Sequence, residues 1–103
     1  MNIVHKINLN WNPDNPKLKC KKDYFTDGLF FEVGKEYQIY RIVYYEYEDK
    51  KRSIYHLFND KRICSFINST DEYDPFENVY DYFENVDRVL RKIKLDRINN
   101  ISQ

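Results

Sequence analysis

The chain has 103 residues, 42% of them hydrophobic and 17% aromatic, which is enough for one hydrophobic core but not for two. Seventeen basic and seventeen acidic side chains cancel, which disfavours a uniformly basic nucleic-acid-binding surface but leaves room for a local patch. No apolar run approaches the roughly 20 residues of a membrane span, and residues 1–20 lack the pattern of a signal peptide, so we expect a cytoplasmic protein.

Polar and apolar residues alternate from Met1 to Leu9, which predicts an edge strand. Two prolines and several Asn and Asp residues then favour a loop over residues 11–16. Trp11, the single tryptophan, is expected to cap one end of the core. The alternative is a binding hot spot, since Trp is enriched at such positions.

Residues 17–25 are predicted to form a strand whose lysines face solvent and protect an edge from pairing with other chains. Asp27-Gly28 is a turn signal, and residues 29–32 form a short apolar segment after it. Residues 38–47 contain only Ile, Val, Tyr and single polar residues. We predict that they form the longest strand, covered on both faces because bulky groups occupy both its odd and even positions.

A charged hairpin tip over residues 48–52 leads into a return strand over residues 53–58. A turn at residues 59–61 precedes a third strand over residues 62–67. Consecutive strands joined by short polar turns predict an antiparallel sheet.

A helix is predicted from Pro75 to about Arg97. Asp74 suits its N-cap, Pro75 its first position, and Glu77 the capping-box position. Apolar residues recur with helical spacing, at Val79, Tyr82, Phe83, Val86, Val89, Leu90 and Ile93. In the alternative, residues 80–84 form a short closing strand and the helix starts near Asn85. We favour the single helix because the period continues without a break.

The predicted fold class is therefore α+β, in one domain over residues 1–103. A curved antiparallel sheet, or a partly open small barrel of four to six strands, would occupy residues 3–67. One C-terminal amphipathic helix would pack on it through Val79, Phe83, Val86, Leu90 and Ile93.

Two cysteines and two histidines are the candidates for metal binding or nucleophilic catalysis: Cys20, Cys64, His5 and His56. Their spacing matches no zinc module, and no Cys-x-x-Cys pair is present. The chain has only two glycines, so its sequence contains neither a glycine-rich phosphate-binding loop nor a nucleophile elbow. We therefore expect no metal, no cofactor and no enzymatic activity, and we interpret the cysteines as thiols in a reducing compartment.

Charge order is the strongest irregularity. Residues 71–87 hold seven acidic side chains and no basic one. Among residues 88–97, the charged side chains are basic except for Asp96. Such an order complements a helix macrodipole. It could instead form an acidic surface flanked by tyrosines that imitates spaced phosphates and binds a basic groove of a partner protein. The candidate partner-binding residues are Tyr73, Asp74, Glu77, Tyr80, Asp81 and Glu84.

Basic residues support an alternative, a small barrel that binds single-stranded nucleic acid through cations and exposed aromatic side chains. The candidate cations are Lys17, Lys19, Lys21, Lys22, Lys50, Lys51 and Arg52. The candidate aromatic residues are Tyr24, Tyr40, Tyr44 and Tyr55. A homo-oligomeric structural module is a third possibility.

Three features in order carry a family resemblance: Lys-Cys-Lys-Lys-Asp-Tyr-Phe at residues 19–25, Phe31-x-x-Gly34-Lys35-x-Tyr37, and two hairpin strands. Over residues 17–67 the chain resembles small Src-homology-3-like barrel proteins encoded by phages and mobile elements of low-GC Gram-positive bacteria. In such barrels a Tyr-Phe strand commonly closes the sheet, and Tyr82-Phe83 is its counterpart here.

The resemblance implies a small phage protein that acts by binding a host defence or replication protein, as anti-CRISPR inhibitors do. We therefore expect a non-enzymatic protein-binding module that inhibits or modulates a host nucleic-acid-handling protein. No catalytic residue transfers from the resemblance, because its motif names only fold-determining positions.

Overall fold

The computed structural model describes residues 2–9, 11–68 and 76–101. Eight strands are present in these ranges: β1 (Asn2–Asn8), β2 (Lys17–Lys19), β3 (Tyr24–Thr26), β4 (Leu29–Phe31), β5 (Glu36–Tyr47), β6 (Lys50–Asn59), β7 (Arg62–Ile67) and β8 (Glu77–Asn78). Two helices follow β8, namely α1 (Val79–Tyr82) and α2 (Val86–Ile101).

The long strand β5 organises the sheet, as its sequence predicts. Strand order is β1-β5-β6-β7-β8, and β2 pairs with β5 on the β1 side. All pairs except the parallel β7–β8 pair are antiparallel. Buried side chains occur at both odd and even positions of β5, including Ile39, Ile42 and Val43. The prediction of a strand covered on both faces is confirmed.

Two-residue turns set the register of the β3–β4 and β5–β6 hairpins. Asp27-Gly28 joins β3 to β4 with φ of 48° and 79°, and Glu48-Asp49 joins β5 to β6 with φ of 50° and 62°. Positive φ at both central positions matches the right-handed twist of the flanking strands. The β5–β6 tip is therefore shorter than predicted, because residues 50–52 already belong to β6.

The predicted strand over residues 17–25 is wrong as a continuous element. Leu18 pairs with Tyr37 in β2, whereas Tyr24 pairs with Phe31 in the separate β3–β4 hairpin. The interruption begins at Cys20, whose N–H donates to the Lys35 carbonyl at 2.9 Å and whose carbonyl accepts from Gly34 N–H at 2.9 Å. The chain then leaves the β5 edge.

The predicted single helix over residues 75–97 is wrong in its first half. Asp74 and Pro75 lie outside the described residues, and Glu77 begins β8, which pairs with Phe66 and Ile67 of β7. Asn78 caps the short helix α1 by accepting from Tyr80 N–H at 2.8 Å.

Phe83 ends that short helix and forms a β-bridge with Cys20. Lys21 N–H donates to the Tyr82 carbonyl at 2.8 Å, and Glu84 N–H donates to the Lys19 carbonyl at 3.0 Å. Backbone groups at residues 82–84 therefore pair with the segment around β2 instead of extending a helix, which begins again at Val86. The alternative is correct in its helix start near Asn85 but wrong in its closing strand over residues 80–84, because Tyr80 to Tyr82 are helical and only Phe83 forms a bridge.

The core lies between one face of the sheet and a layer made by the β3–β4 hairpin and both helices. Four aromatic rings meet at its centre: Phe31, Phe66 and Phe83 form edge-to-face pairs 5.1–6.1 Å apart, and Tyr37 lies 4.7 Å from Phe31. Edge-to-face pairs stabilise a core beyond the area they bury. Trp11 does not cap this core, since it is 66% exposed.

The structure confirms a small α+β fold built on a mostly antiparallel sheet of six strands. The sheet does not close into a barrel: in the described residues β8 pairs only with β7, and the return to β2 is the single Cys20–Phe83 bridge. No helix in the described ranges is long and apolar enough to cross a membrane.

Candidate functional site

The predicted acidic residues lie on three short elements instead of one helical stripe. Glu77 is in β8, Tyr80 and Asp81 are in α1, and Glu84 follows the Phe83 bridge; all four are exposed. Tyr73 and Asp74, also predicted to bind a partner, lie outside the described residues. We call Glu77, Tyr80, Asp81, Glu84 and Asp87 the acidic segment.

Two contacts order this segment. The Tyr80 hydroxyl donates to Asp87 Oδ1 at 2.9 Å, linking α1 to the first turn of α2. Partial burial and the Asp87 carboxylate together raise the pKa of Tyr80, so its hydroxyl stays protonated as a donor. Glu84 forms an ion pair with Lys19 at 3.7 Å. On a continuous helix Glu84 would lie one turn before Arg88, its i,i+4 neighbour. In this fold its ion-pair partner is instead Lys19 of β2.

Glu77 and Asp81 both act electrostatically on one phenol group, that of Tyr82. Burial raises the pKa of Tyr82, and the negative charges of Glu77 and Asp81 raise it further. Lys22 Nζ also lies near this residue, 5.3 Å from the centre of the Tyr82 ring, which is a cation–π contact. Both carboxylates are exposed, and neither forms an ion pair with any residue the structure describes.

An exposed aromatic pair lies on the β3–β4 hairpin, and our sequence interpretation missed it. Phe25 and Phe30 are direct cross-strand partners and are 69% and 48% exposed. The signal was present: a two-residue Asp27-Gly28 turn places Phe25 opposite Phe30 on one face and Tyr24 opposite Phe31 on the other. Large exposed aromatic side chains are typical of protein contact sites.

The hairpin and the acidic segment are joined by ring contacts. The rings of Tyr24 and Tyr82 are 4.7 Å apart, and Tyr24 also contacts Phe66 in the core. Asn59 Nδ2 donates to the Phe30 carbonyl at 3.0 Å and holds the other hairpin strand against β6. The hairpin is therefore an ordered support that contacts the acidic segment through Tyr24 and carries Phe25 and Phe30 on its opposite face.

The basic residues of the alternative nucleic-acid site do not form one patch. In the backbone register, Lys19 of β2 lies opposite Glu36 at the start of β5. Lys50 of β6 lies opposite Tyr47 at the end of β5. Glu36 and Tyr47 are eleven residues apart along an extended strand, which separates these positions by about 35 Å. Of the other candidates, Lys17, Lys21 and Lys22 lie near β2, Lys51 and Arg52 follow Lys50 in β6, and Arg52 is buried.

Exposed stacking residues are also fewer than that alternative needs. Tyr55 is 2% exposed and belongs to the core, and Tyr24 packs against Tyr82. Tyr40 is half-buried and packs edge-on against Phe58 at 5.0 Å. Tyr44, also half-buried, stacks on His5 at the other end of β5.

The cysteines and histidines lie in separate surroundings. Burial raises the pKa of both the Cys20 and the Cys64 thiols, which keeps them protonated and poorly nucleophilic near neutral pH. His56 Nδ1 lies 2.9 Å from Ser65 Oγ, and His5 stacks on Tyr44. In the described residues no group of three or more His, Cys, Asp or Glu side chains could hold a metal ion.

What this geometry offers chemically is recognition: fixed carboxylates, a hydrogen-bonded tyrosine and an exposed aromatic pair on one ordered support. No family model, no curated protein and no solved structure matches the chain.

Proposed function

We propose that this protein is a non-enzymatic protein-binding module that docks through the acidic segment and the neighbouring Phe25–Phe30 pair. The partner surface would combine lysines or arginines with an apolar pocket, as a nucleic-acid-binding groove of another protein does. Carboxylates beside exposed aromatic side chains give such a surface both charge complementarity and a hydrophobic anchor.

One observation carries the proposal. Glu77 and Asp81 are exposed and pair with no cation among the described residues, and Tyr82 beside them contacts the hairpin that carries Phe25.

The resemblance to small Src-homology-3-like barrel proteins of phages extends the proposal to the identity of the partner. A host defence protein or another nucleic-acid-handling protein in the bacterial cytoplasm would present a basic groove of this kind. Binding there would compete with nucleic acid and inhibit the partner.

Affinity capture from a bacterial lysate treated with nuclease tests the proposal. The wild-type protein is compared with Glu77→Lys/Asp81→Lys and, as a control with the same change in net charge, Asp14→Lys/Asp96→Lys at exposed positions elsewhere. We expect a basic, nucleic-acid-binding protein to be captured by the wild type and the control and lost with the first variant. Retention of that protein by Glu77→Lys/Asp81→Lys would exclude the acidic segment as the docking surface.

A further inference from the structure

A groove of about 690 Å³ opens between the sheet and helix α2, away from the acidic segment. Its floor is formed by neighbouring residues of β1 and β5, and Lys94 of α2 lies on its opposite side. The groove is lined near the end of β5, at residues 44–46, whereas the aromatic centre of the core contacts the start of β5 at Tyr37. It is therefore a separate feature from the docking surface proposed above.

The interior of the groove is largely apolar. Ile7 is buried on its floor, and Val4 lies exposed on its lining. The His5 ring stacks on Tyr44 with centroids 6.1 Å apart and planes inclined by 17°. A cleft of this volume, lined by aliphatic and aromatic side chains with a few polar groups, has the dimensions of small-molecule binding sites.

Hydrogen bonds hold one wall of the groove in place. Ser53 N–H donates to Asn68 Oδ1 at 2.9 Å, and Asn68 N–H donates to the Ser53 carbonyl at 3.1 Å. Both residues line the groove. The wall is therefore formed before any ligand arrives, which lowers the free-energy cost of binding.

The charged side chains around the groove are unbalanced. Among the described lining residues, Lys51 and Lys94 carry exposed positive charges and Glu46 carries the single carboxylate, whereas Arg52 is buried. Lys51 and Lys94 form no ion pair with any described residue. An anion entering the groove is attracted by these two lysines, which outnumber the one described carboxylate, whereas a cation of the same shape is repelled.

We propose that this groove binds a small amphipathic anion, an aromatic or aliphatic body that carries one carboxylate or sulfonate group. The apolar body lies over Ile7 and the His5–Tyr44 stack, and the anionic group reaches Lys51 and Lys94. This ligand site is additional to protein docking and does not depend on it.

Two fluorescent probes with the same aromatic skeleton test the proposal. 8-Anilino-1-naphthalenesulfonate carries the anionic group, and N-phenyl-1-naphthylamine lacks it. We expect saturable binding of both to the wild-type protein, with the sulfonate probe at least about tenfold tighter, a difference of about 1.4 kcal/mol. Decanoate, an aliphatic amphipathic anion, should displace the sulfonate probe.

Charge reversal at matched positions of α2 locates the site. Lys94→Glu should weaken binding of the sulfonate probe about tenfold and leave the neutral probe nearly unchanged. Lys92→Glu, at an exposed position of the same helix outside the groove, should leave both affinities unchanged. Circular dichroism and a urea titration of each variant verify that it is folded.

Any of three results would overturn the proposal. These are equal affinity of the wild-type protein for the two probes, an equal loss with Lys92→Glu and Lys94→Glu, and absence of saturable binding by the folded protein. Amide chemical-shift changes that map away from the groove lining, which lies on β1, the end of β5, the start of β6, Asn68 and Lys94, would also count against it.

Discussion

Asn85 connects parts of the chain that are distant in sequence. Its Oδ1 accepts from Lys19 N–H at 2.8 Å, and its Nδ2 donates to the Lys17 carbonyl at 3.1 Å. Its own carbonyl accepts from Val89 N–H at 3.1 Å in the first turn of α2. One amide side chain thus fixes the start of α2 against the outer edge of β2.

Asn85→Ala should lower the free energy of unfolding by about 1–3 kcal/mol, because two backbone groups of β2 lose their partners. Urea denaturation followed by circular dichroism measures the change. Asn12→Ala is the control, since the Asn12 side chain accepts only a local bond from Asp14 N–H in an exposed loop. Equal stability of Asn85→Ala and the control would show that the Asn85 contacts do not hold α2 to the sheet.

His56 lies in a half-buried cluster on the face of the sheet opposite the main core. Burial lowers its pKa, and the nearby charge of Arg41 lowers it further. Arg41 Nε is itself buried with no partner among the described residues, and its guanidinium lies 5.6 Å from the Tyr40 ring. The folded state therefore favours neutral His56.

The free energy of unfolding should consequently fall as the solution becomes acidic. A histidine with a lowered pKa in the folded state binds its proton more readily when unfolded, so its contribution is fully present above pH 6.5 and is lost as pH decreases below that value. Urea titrations at pH 7.5 and 5.5 should differ by up to about 1 kcal/mol from this residue. His56→Gln should remove that difference, and Arg41→Met should reduce it by raising the pKa of His56. An unchanged difference in His56→Gln would assign the pH dependence to other groups.

At the scale of elements, the sequence predicts the sheet better than the segment after it. The turn signals at Asp27-Gly28 and at residues 59–61 and the uninterrupted run in β5 act locally, so they can be identified without tertiary information. The helical period through Phe83 was misleading. Most of its apolar positions are buried as predicted, with Tyr82 and Leu90 only partly buried, but Phe83 packs through a β-bridge to a residue 63 positions earlier. Local propensity contains no information about that pairing.

Phe83→Ala should destabilise the protein by about 3–5 kcal/mol, because it removes a fully buried ring from the aromatic centre of the core. Leu95→Ala is the matched control in the same C-terminal region, since Leu95 is 57% exposed and should cost less than about 0.5 kcal/mol. Urea denaturation measures both changes. A loss below 1 kcal/mol for Phe83→Ala would show that this segment does not close the core.

At the scale of the whole molecule, the zero net charge conceals an uneven distribution. Acids cluster on β8, α1 and the start of α2, the lysines of β2 lie beside them, and Lys50 and Lys51 lie at the far end of β5. The order of charges along the chain predicted the acidic cluster. Two other features could be identified only from the structure. The Lys19–Glu84 ion pair joins residues 65 positions apart. The exposure of the Phe25–Phe30 pair depends on which face of the hairpin packs against the core.

The dissociation constant of the captured partner protein, measured at two salt concentrations, is the most direct test of docking through the acidic segment. We expect affinity to fall as salt rises, and Glu77→Lys/Asp81→Lys to weaken binding about 10–100-fold while Asp14→Lys/Asp96→Lys leaves it unchanged. A single-stranded oligonucleotide should compete with the wild-type protein for the partner. Equal dissociation constants for the wild type and Glu77→Lys/Asp81→Lys, with no dependence on salt, would contradict the account.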